Sequence, residues 1–322
     1  MNAIKLLKNR FVLNSPYRIL HLITSKCNCR CGICNLWKNS LGHKNDLTTD
    51  QIIKMLDDAR NAGIIFYDAL GGEPLLRDDI GIILKYAKKI GLKTTVVTNG
   101  YYLKEKHNEI MPFIDVLAVS IDSNDNLHDE MRDCRGLREE AIEGIKLSKN
   151  NRTKILINSI ISNKNLTKAY GLLELAQDLG VSICFQPIDL IKGYNENLIP
   201  TKNELKEVFN KIIIFKKSGY PITNSYEYLK FFTNGKKYVC CASKCFINIE
   251  PNGDIISCMH VHDKKWGNVK IVKLKDLFKS KEYNEFFIKE KNCNICNTAC
   301  VIESSLFYRF NPTFLMQKIF SK

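Results

Sequence analysis

An α/β protein with a parallel sheet is the fold that the sequence predicts, and three features predict it. Between Arg18 and about Ser218, short β-rich runs alternate with longer amphipathic stretches. Glycines fall where those stretches should end, and after Gly219 the rhythm gives way to one hairpin signal and paired cysteines. The first strand is expected at Ile19–Thr24, an apolar run that leads into a cysteine-rich loop. Thr48 or Thr49 before Asp50 marks the start of a helix over Thr49–Ala62, which Gly63 should stop. A second strand is expected over Ile64–Leu70. Arg77-Asp78-Asp79 then opens a helix over Asp78–Ile90, and Gly91 closes it. Lys93–Thr98 and Val116–Ile121 are the third and fourth strand candidates, Arg138–Lys149 a helix, and Lys154–Ile161 the fifth strand. Leu166–Leu179 is helical up to Gly180, and Ser182–Pro187 is the sixth strand. Six βα units imply a parallel sheet covered by helices, and the pattern leaves open whether that sheet stays open or closes into a barrel.

Beyond the sixth strand, Pro200–Gly219 reads as one more helix and Tyr220–Tyr238 as an irregular, aromatic-rich connection. Phe246–Glu250 and Asp254–Ser257 flank the turn Pro251-Asn252-Gly253, a hairpin signal. A short helix near Lys275–Phe287 leads to Cys293, Cys296 and Cys300. The chain therefore divides into an extension over 1–16, an α/β unit over 17–219, a connection over 220–238, a small cysteine-bearing unit over 239–305 and an apolar, basic tail over 306–322.

The chain has 322 residues, and its net charge is +14, from 48 Lys plus Arg against 34 Asp plus Glu. The lysines are scattered and rarely interleaved with aromatics, so they read as solvated surface and no nucleic-acid partner is expected. No apolar run approaches the ~20 residues that span a bilayer, and no signal peptide is evident, so a cytoplasmic location is expected. Thirteen cysteines in such a chain point to metal or redox chemistry and not to a disulfide framework. The tail could rest on a membrane interface, but a short segment interrupted by Pro312 more often packs on its own protein.

Cys27, Cys31 and Cys34 follow the first strand with the spacing C-x3-C-x2-C. Three thiolates on a four-iron cubane leave one iron open, whereas structural metal sites close with four ligands. The alternatives for three close cysteines are a zinc knuckle or part of a ferredoxin loop. Gly71-Gly72-Glu73-Pro74 ends the second strand, where two glycines allow close backbone approach and Glu73 offers an acceptor. Thr98-Asn99-Gly100, Ser120-Ile121-Asp122 and Gln186-Pro187 end the third, fourth and sixth strands. Each alone is an ordinary polar turn. Together they line the carboxyl edge of the sheet, where α/β barrels hold their sites.

This set of residues resembles the radical S-adenosylmethionine (radical SAM) enzymes, whose signature is the same cysteine spacing after the first strand of a partial (β/α)6 barrel. The resemblance implies that Cys27, Cys31 and Cys34 hold a 4Fe-4S cluster and that the amine and carboxylate of SAM chelate its fourth iron. Reductive cleavage would then give methionine and a 5′-deoxyadenosyl radical that abstracts a substrate hydrogen. It implies that Gly71, Gly72, Glu73 and Pro74 meet the SAM amine and that the backbone of Ile33 meets the adenine, although an aromatic residue is more usual there. It also implies that Ser120 and Asp122 reach the ribose and carboxylate, and that Thr98, Asn99 and Gln186 line the cofactor pocket. The segment His128-Asp129-Glu130-Met131-Arg132, then Gly136, matches the family's segment after the fourth strand. Cys29, Cys134 and Cys184 read as small packing residues.

The C-terminal cysteines resemble the SPASM/Twitch extensions of these enzymes, in which a cysteine before a hairpin and one at its end join a later C-x2-C pair. The resemblance implies one auxiliary 4Fe-4S cluster held by Cys241, Cys258, Cys293 and Cys296, with Cys240, Cys245 and Cys300 as rivals. A four-cysteine structural zinc is the alternative, since soft thiolates select both. Cys240 to Cys300 is also short, Lys-rich and poor in large apolar runs, so a bound metal would help it fold. The function implied is a radical SAM oxidoreductase or transferase acting on an unidentified substrate, whether small molecule, lipid-linked or peptide, with a reductant such as flavodoxin or ferredoxin. Only about 18 residues precede the first strand, fewer than a peptide-recognition domain needs, which counts against a peptide maturase. The reading from another class is a non-catalytic electron carrier or metal-bound binding module.

Overall fold

The parallel sheet forms where β-rich runs alternate with capped helices. In the computed structural model, residues 15–38, 45–149, 152–235, 237–256, 258, 264–293 and 295–309 are described. β1 (Arg18–Thr24) leads through the cysteine loop to α1 (Thr49–Asn61). Thr48 is the cap of that helix. Its hydroxyl accepts from the Gln51 N–H while the Gln51 side chain accepts from the Thr48 N–H, so two end donors are satisfied at once. α1 buries Ile52, Met55, Leu56 and Ala59, a helical spacing that aims one face at the core. Next come β2 (Phe66–Gly71), α2 (Ile80–Lys89), β3 (Lys93–Thr98), α3 (Leu103–Ile110) and β4 (Val116–Ser120). α4 (Leu127–Arg132), α5 (Leu137–Ser148), β5 (Lys154–Ile161), α6 (Gly171–Asp178) and β6 (Ser182–Pro187) complete the alternation. The second strand starts at Phe66 and not at Ile64, because the Ile64 N–H turns back to the Ala59 carbonyl of α1.

After β6 come α7 (Lys202–Lys217), α8 (Tyr226–Asn234), α9 (Ala242–Cys245), β7 (Phe246–Ile249), β8 (Asp254–Ile256) and β9 (Lys265–Asn268). α10 (Leu274–Lys279), α11 (Lys281–Glu290) and α12 (Ala299–Tyr308) close the described chain. α8 corrects the expectation of an irregular connection. Ser225 caps it, Gly235 ends it in the left-handed region, and Tyr228 and Phe232 stack with Phe209 of α7. The single helix expected near Lys275–Phe287 is two. Ser280 ends α10 and, through its hydroxyl, caps α11 at the Tyr283 N–H.

The strand order is β6-β5-β4-β3-β2-β1-β7-β8-β9. β1 to β6 are parallel neighbours, β7 lies parallel on the free edge of β1, and β8 and β9 continue antiparallel. The order is linear, with β6 at one edge and β9 at the other, so the sheet is open. The hairpin turn is as expected: the Gly253 N–H reaches the Glu250 carbonyl and Gly253 takes φ +91°.

Phe246, Ile247, Ile249, Ile255, Trp266 and Tyr283 belong to the same apolar core as Ile19, Ile23 and Tyr67. Each fully buried side chain of this kind is worth roughly 1.5–3 kcal/mol, so this region does not depend on a metal alone for its packing. The tail begins as the last turn of α12, and its remainder, 310–322, lies outside the described residues, as do residues 1–14 of the extension over 1–16. Among the described residues no helix is long and apolar enough to cross a membrane.

Candidate active site

The loop after β1 is fastened on three sides. From β2, the Gly72 N–H donates to the Thr24 carbonyl at 2.8 Å and the Glu73 N–H to the Lys26 carbonyl at 2.7 Å. A Cβ on Gly72 would stand 2.1 Å from the Lys26 oxygen, so only glycine lets the two segments lie this close. From β3, the Asn99 amide donates to Asn28 Oδ1 at 2.8 Å and to Cys29 Sγ at 3.3 Å. From the other side, the Arg30 and Gly32 N–H groups reach the Arg132 and Met131 carbonyls, each at 3.2 Å. The Tyr194 hydroxyl also donates to the Cys31 carbonyl at 2.8 Å. Tyr194 carried no signal in the sequence.

Cys27, Cys31 and Cys34 therefore hang on one braced loop. A hydrogen bond from Cys29 holds the Cys31 thiol down to about 7, and the nearby Arg132 guanidinium helps. The same neighbour lowers Cys27, while burial pushes Cys34 up to about 11. Three thiols on one loop, two of them eased toward the thiolate, are a donor set that fits an iron–sulfur cluster. Among the described residues no group of three His, Cys, Asp or Glu side chains could hold a single metal ion, whereas a cubane takes each thiolate on a different iron. A cavity of about 200 Å³ opens beside the loop, lined by Leu22, Thr24, Ser25, Leu36, Gly72 and Glu250.

Several residues expected at a cofactor have other work. Glu73 is fully buried. Its Oε1 accepts from the Thr98 hydroxyl at 2.7 Å and the Leu75 N–H at 3.0 Å, and its Oε2 from the Asn99 N–H at 2.7 Å. Burial raises its pKa against those three donors. Glu73, Thr98 and Asn99 thus bolt β2 to β3 behind the loop, and Pro74 begins the buried turn Pro74–Leu76. Asp122 is fully buried, with Oδ1 accepting from the Ile160 N–H at 2.8 Å and Oδ2 from Arg132 Nε at 2.8 Å. The Gln186 Oε1 accepts from the Ala299 N–H at 3.0 Å and so anchors the start of α12. Ser120 ends β4 and Ile33 packs with Met131, Leu137 and Ile188.

The Asp122–Arg132 pair supports one prediction. Asp122→Ala leaves a buried guanidinium unpaired beside the loop, and the expected loss is about 3–5 kcal/mol in urea unfolding. A loss below about 1 kcal/mol would place the pair among surface contacts in energetic terms.

Of the C-terminal cysteines, Cys258, Cys293 and Cys296 lie together with Cys240, and Cys241 does not join them. Cys296 shares a side-chain hydrogen bond with Cys258 and feels the charge of Cys240, and the Tyr238 phenol is held up by burial beside Cys296, Cys240 and Cys293. Cys240, Cys258, Cys293 and Cys296 are thus one neighbourhood. Cys241 is elsewhere: its thiol points to the Val239 carbonyl at 3.7 Å, its N–H is bound by Ser305 Oγ at 3.0 Å, and its charge is felt by Cys245. The Ser305 hydroxyl on its N–H and the Val239 carbonyl beside its thiol account for the placement of Cys241. Cys245 points to the Ser304 carbonyl, and Cys300 sits near Arg18, Asp189, Asp68 and Cys184. Glu290, which the sequence did not single out, is buried against this site. Its carboxylate accepts from the Cys240 thiol at 3.4 Å and from the Ser243 N–H at 3.1 Å.

The sequence profile of the radical SAM superfamily matches residues 22–164. The chain carries a radical SAM domain. Residues 190–319, after that radical SAM domain, match a profile described as a domain of unknown function, DUF3463. An AdoMet-dependent heme synthase of Methanosarcina barkeri is 32% identical over 170 residues, 52% of this chain and 49% of that protein. A probable GTP 3′,8-cyclase of Methanocaldococcus jannaschii is 27% identical over 247 residues, 74% of this chain and 77% of that protein. The chain thus spans about half the length of the first of these relatives. Among solved structures, Streptococcus suis SuiB bound to S-adenosylmethionine superposes with a TM-score of 0.71 at 18% identity, covering 96% of this chain and 78% of SuiB. Native anSMEcpe with bound AdoMet gives 0.65 at 17% identity, covering 94% of this chain and 100% of that one. At these identities the likeness concerns the fold: an open parallel sheet with helices, a partial TIM-type barrel, followed by a small C-terminal unit. A radical SAM domain implies SAM and one 4Fe-4S cluster, and it needs a reductant.

Proposed function

We propose that this chain cleaves S-adenosylmethionine reductively and uses the resulting radical to take a hydrogen atom from an unidentified substrate. The observation that carries the reading is the loop of Cys27, Cys31 and Cys34, tied to β2 through Gly72, to β3 through Asn99 and to α4 through Arg132. When bound there, a 4Fe-4S cluster supplies the electron that breaks the sulfonium bond. The chain's own part is positional. Gly71 and Gly72 bring the β2 backbone against the loop, Glu73 locks the ends of β2 and β3, and Arg132 favours the Cys31 thiolate. Tyr194 and Trp37 both bind the Cys31 carbonyl and so fix the middle of the loop.

The register of β1 and β2 places Arg18 and Asp68 on the sheet face that carries Leu20 and Leu22, and the pair is closed at 2.6 Å. The substrate would be handled on this face, beside Ser120. An auxiliary cluster on Cys240, Cys258, Cys293 and Cys296 is the second part of the proposal, and it would bind the substrate or accept an electron from the substrate radical. The unit over 17–219 would carry the SAM chemistry and that over 239–305 the auxiliary site, the two joined by pairing of β1 with β7.

The test is direct. Oxygen-free protein reconstituted with iron and sulfide should form methionine and 5′-deoxyadenosine from SAM when dithionite is added. Absence of both products from protein that holds its iron would overturn the reading.

A further inference from the structure

Two thiols that neither metal set uses meet behind the first cysteine loop. The bonds from Arg30 to Arg132 and from Gly32 to Met131 run the loop and the end of α4 past each other in opposite directions. That register brings residues 28 and 29 opposite residues 133 and 134. Asp133, at φ +46°, turns the chain back so that Cys134 approaches the loop. The Asn28 amide points to Cys134 Sγ at 3.7 Å, and the Asn99 amide holds both Cys29 Sγ at 3.3 Å and Asn28 Oδ1 at 2.8 Å, so one pair of asparagines links the two thiols. Cys29 is fully buried, whereas Cys134 is half-buried and open to a small reagent.

We propose that Cys29 and Cys134 are a thiol-modification site that closes to a reversible disulfide in the presence of low-molecular-weight disulfides. The reachable thiol reacts first: Cys134 attacks the reagent disulfide, forms a mixed disulfide and releases one small thiol. Cys29 then attacks the Cys134 sulfur, the Cys29–Cys134 bond forms and the second small thiol leaves. Two electrons pass from the protein to the reagent, and both protein thiol protons are given up. The bond joins the loop to the turn after α4 while leaving Cys27, Cys31 and Cys34 for metal. Oxidation would thus hold the loop in register, and a dithiol would release it.

The experiment uses the full, iron-loaded chain. It is incubated with glutathione disulfide without oxygen, alkylated, digested and mapped by mass spectrometry without reduction. The expected result is a peptide joining Cys29 to Cys134, at least about tenfold above any other cysteine pair, lost on dithiothreitol treatment and absent from Cys134→Ser. A bond from Cys29 to Cys27 or Cys31, or a stable glutathione adduct on Cys134 with Cys29 still alkylated, would overturn it. The readout does not involve SAM, so it fails or succeeds separately from the proposed activity.

Discussion

Replacing Cys27, Cys31 and Cys34 together by alanine should reduce dithionite-driven formation of 5′-deoxyadenosine to that of a protein-free control. The physical ground is that no other group can take over. Cys29 is enclosed among Met131, Leu137 and Ile188, and Cys134 lies on the α4 side of the loop. The variant should remain folded, because the bonds that fasten the loop are made by the backbone of Gly72, Glu73, Arg30 and Gly32 and by Asn99, none of which is changed. Circular dichroism and the melting temperature check that point. Product formation at the wild-type rate by the triple variant would remove this loop from the chemistry.

The second large effect separates neighbours in the chain. Fully reconstituted protein should carry about eight irons, and Cys240→Ala should lower that to about four while SAM cleavage persists. Cys241→Ala should leave the iron content unchanged, since its thiol faces the Val239 carbonyl and not the group around Cys296. Cys293→Ala should behave like Cys240→Ala. Iron analysis together with low-temperature electron paramagnetic resonance decides it. Equal iron in Cys240→Ala and the parent, with loss in Cys241→Ala, would restore the assignment made from spacing alone. About four irons in the parent would deny the auxiliary site altogether.

The strand ends of the parallel sheet were legible because hydrophobic periodicity and glycine stops report directly on backbone geometry. Lys93–Thr98, Lys154–Ile161 and Ser182–Pro187 lie where the sequence places them. α8 was hidden because its aromatic residues look like loop composition until Tyr228 and Phe232 are seen against Phe209 of the preceding helix. β9 was missed since Lys265–Asn268 buries only Trp266, too short an alternation to register. At the site, residue types were readable and their tasks were not. Nothing local distinguishes an Asp122 that could reach a ligand from one whose oxygens are spent on Arg132 and Ile160, because that depends on partners 10 and 38 residues away. Likewise, spacing cannot tell Cys240 from Cys241. Only the fold shows which of two adjacent thiols turns toward Cys296.

The seam between β1 and β7 has a mechanical corollary. Arg18 to His21 lie in register with Phe246 to Ile249, so the strand that delivers the first cysteine loop and the strand that follows Cys245 share one rigid beam. Redox centres carried on either side of that beam would keep a constant separation. Tunnelling between them would then follow driving force and reorganisation energy, with no hinge to gate it.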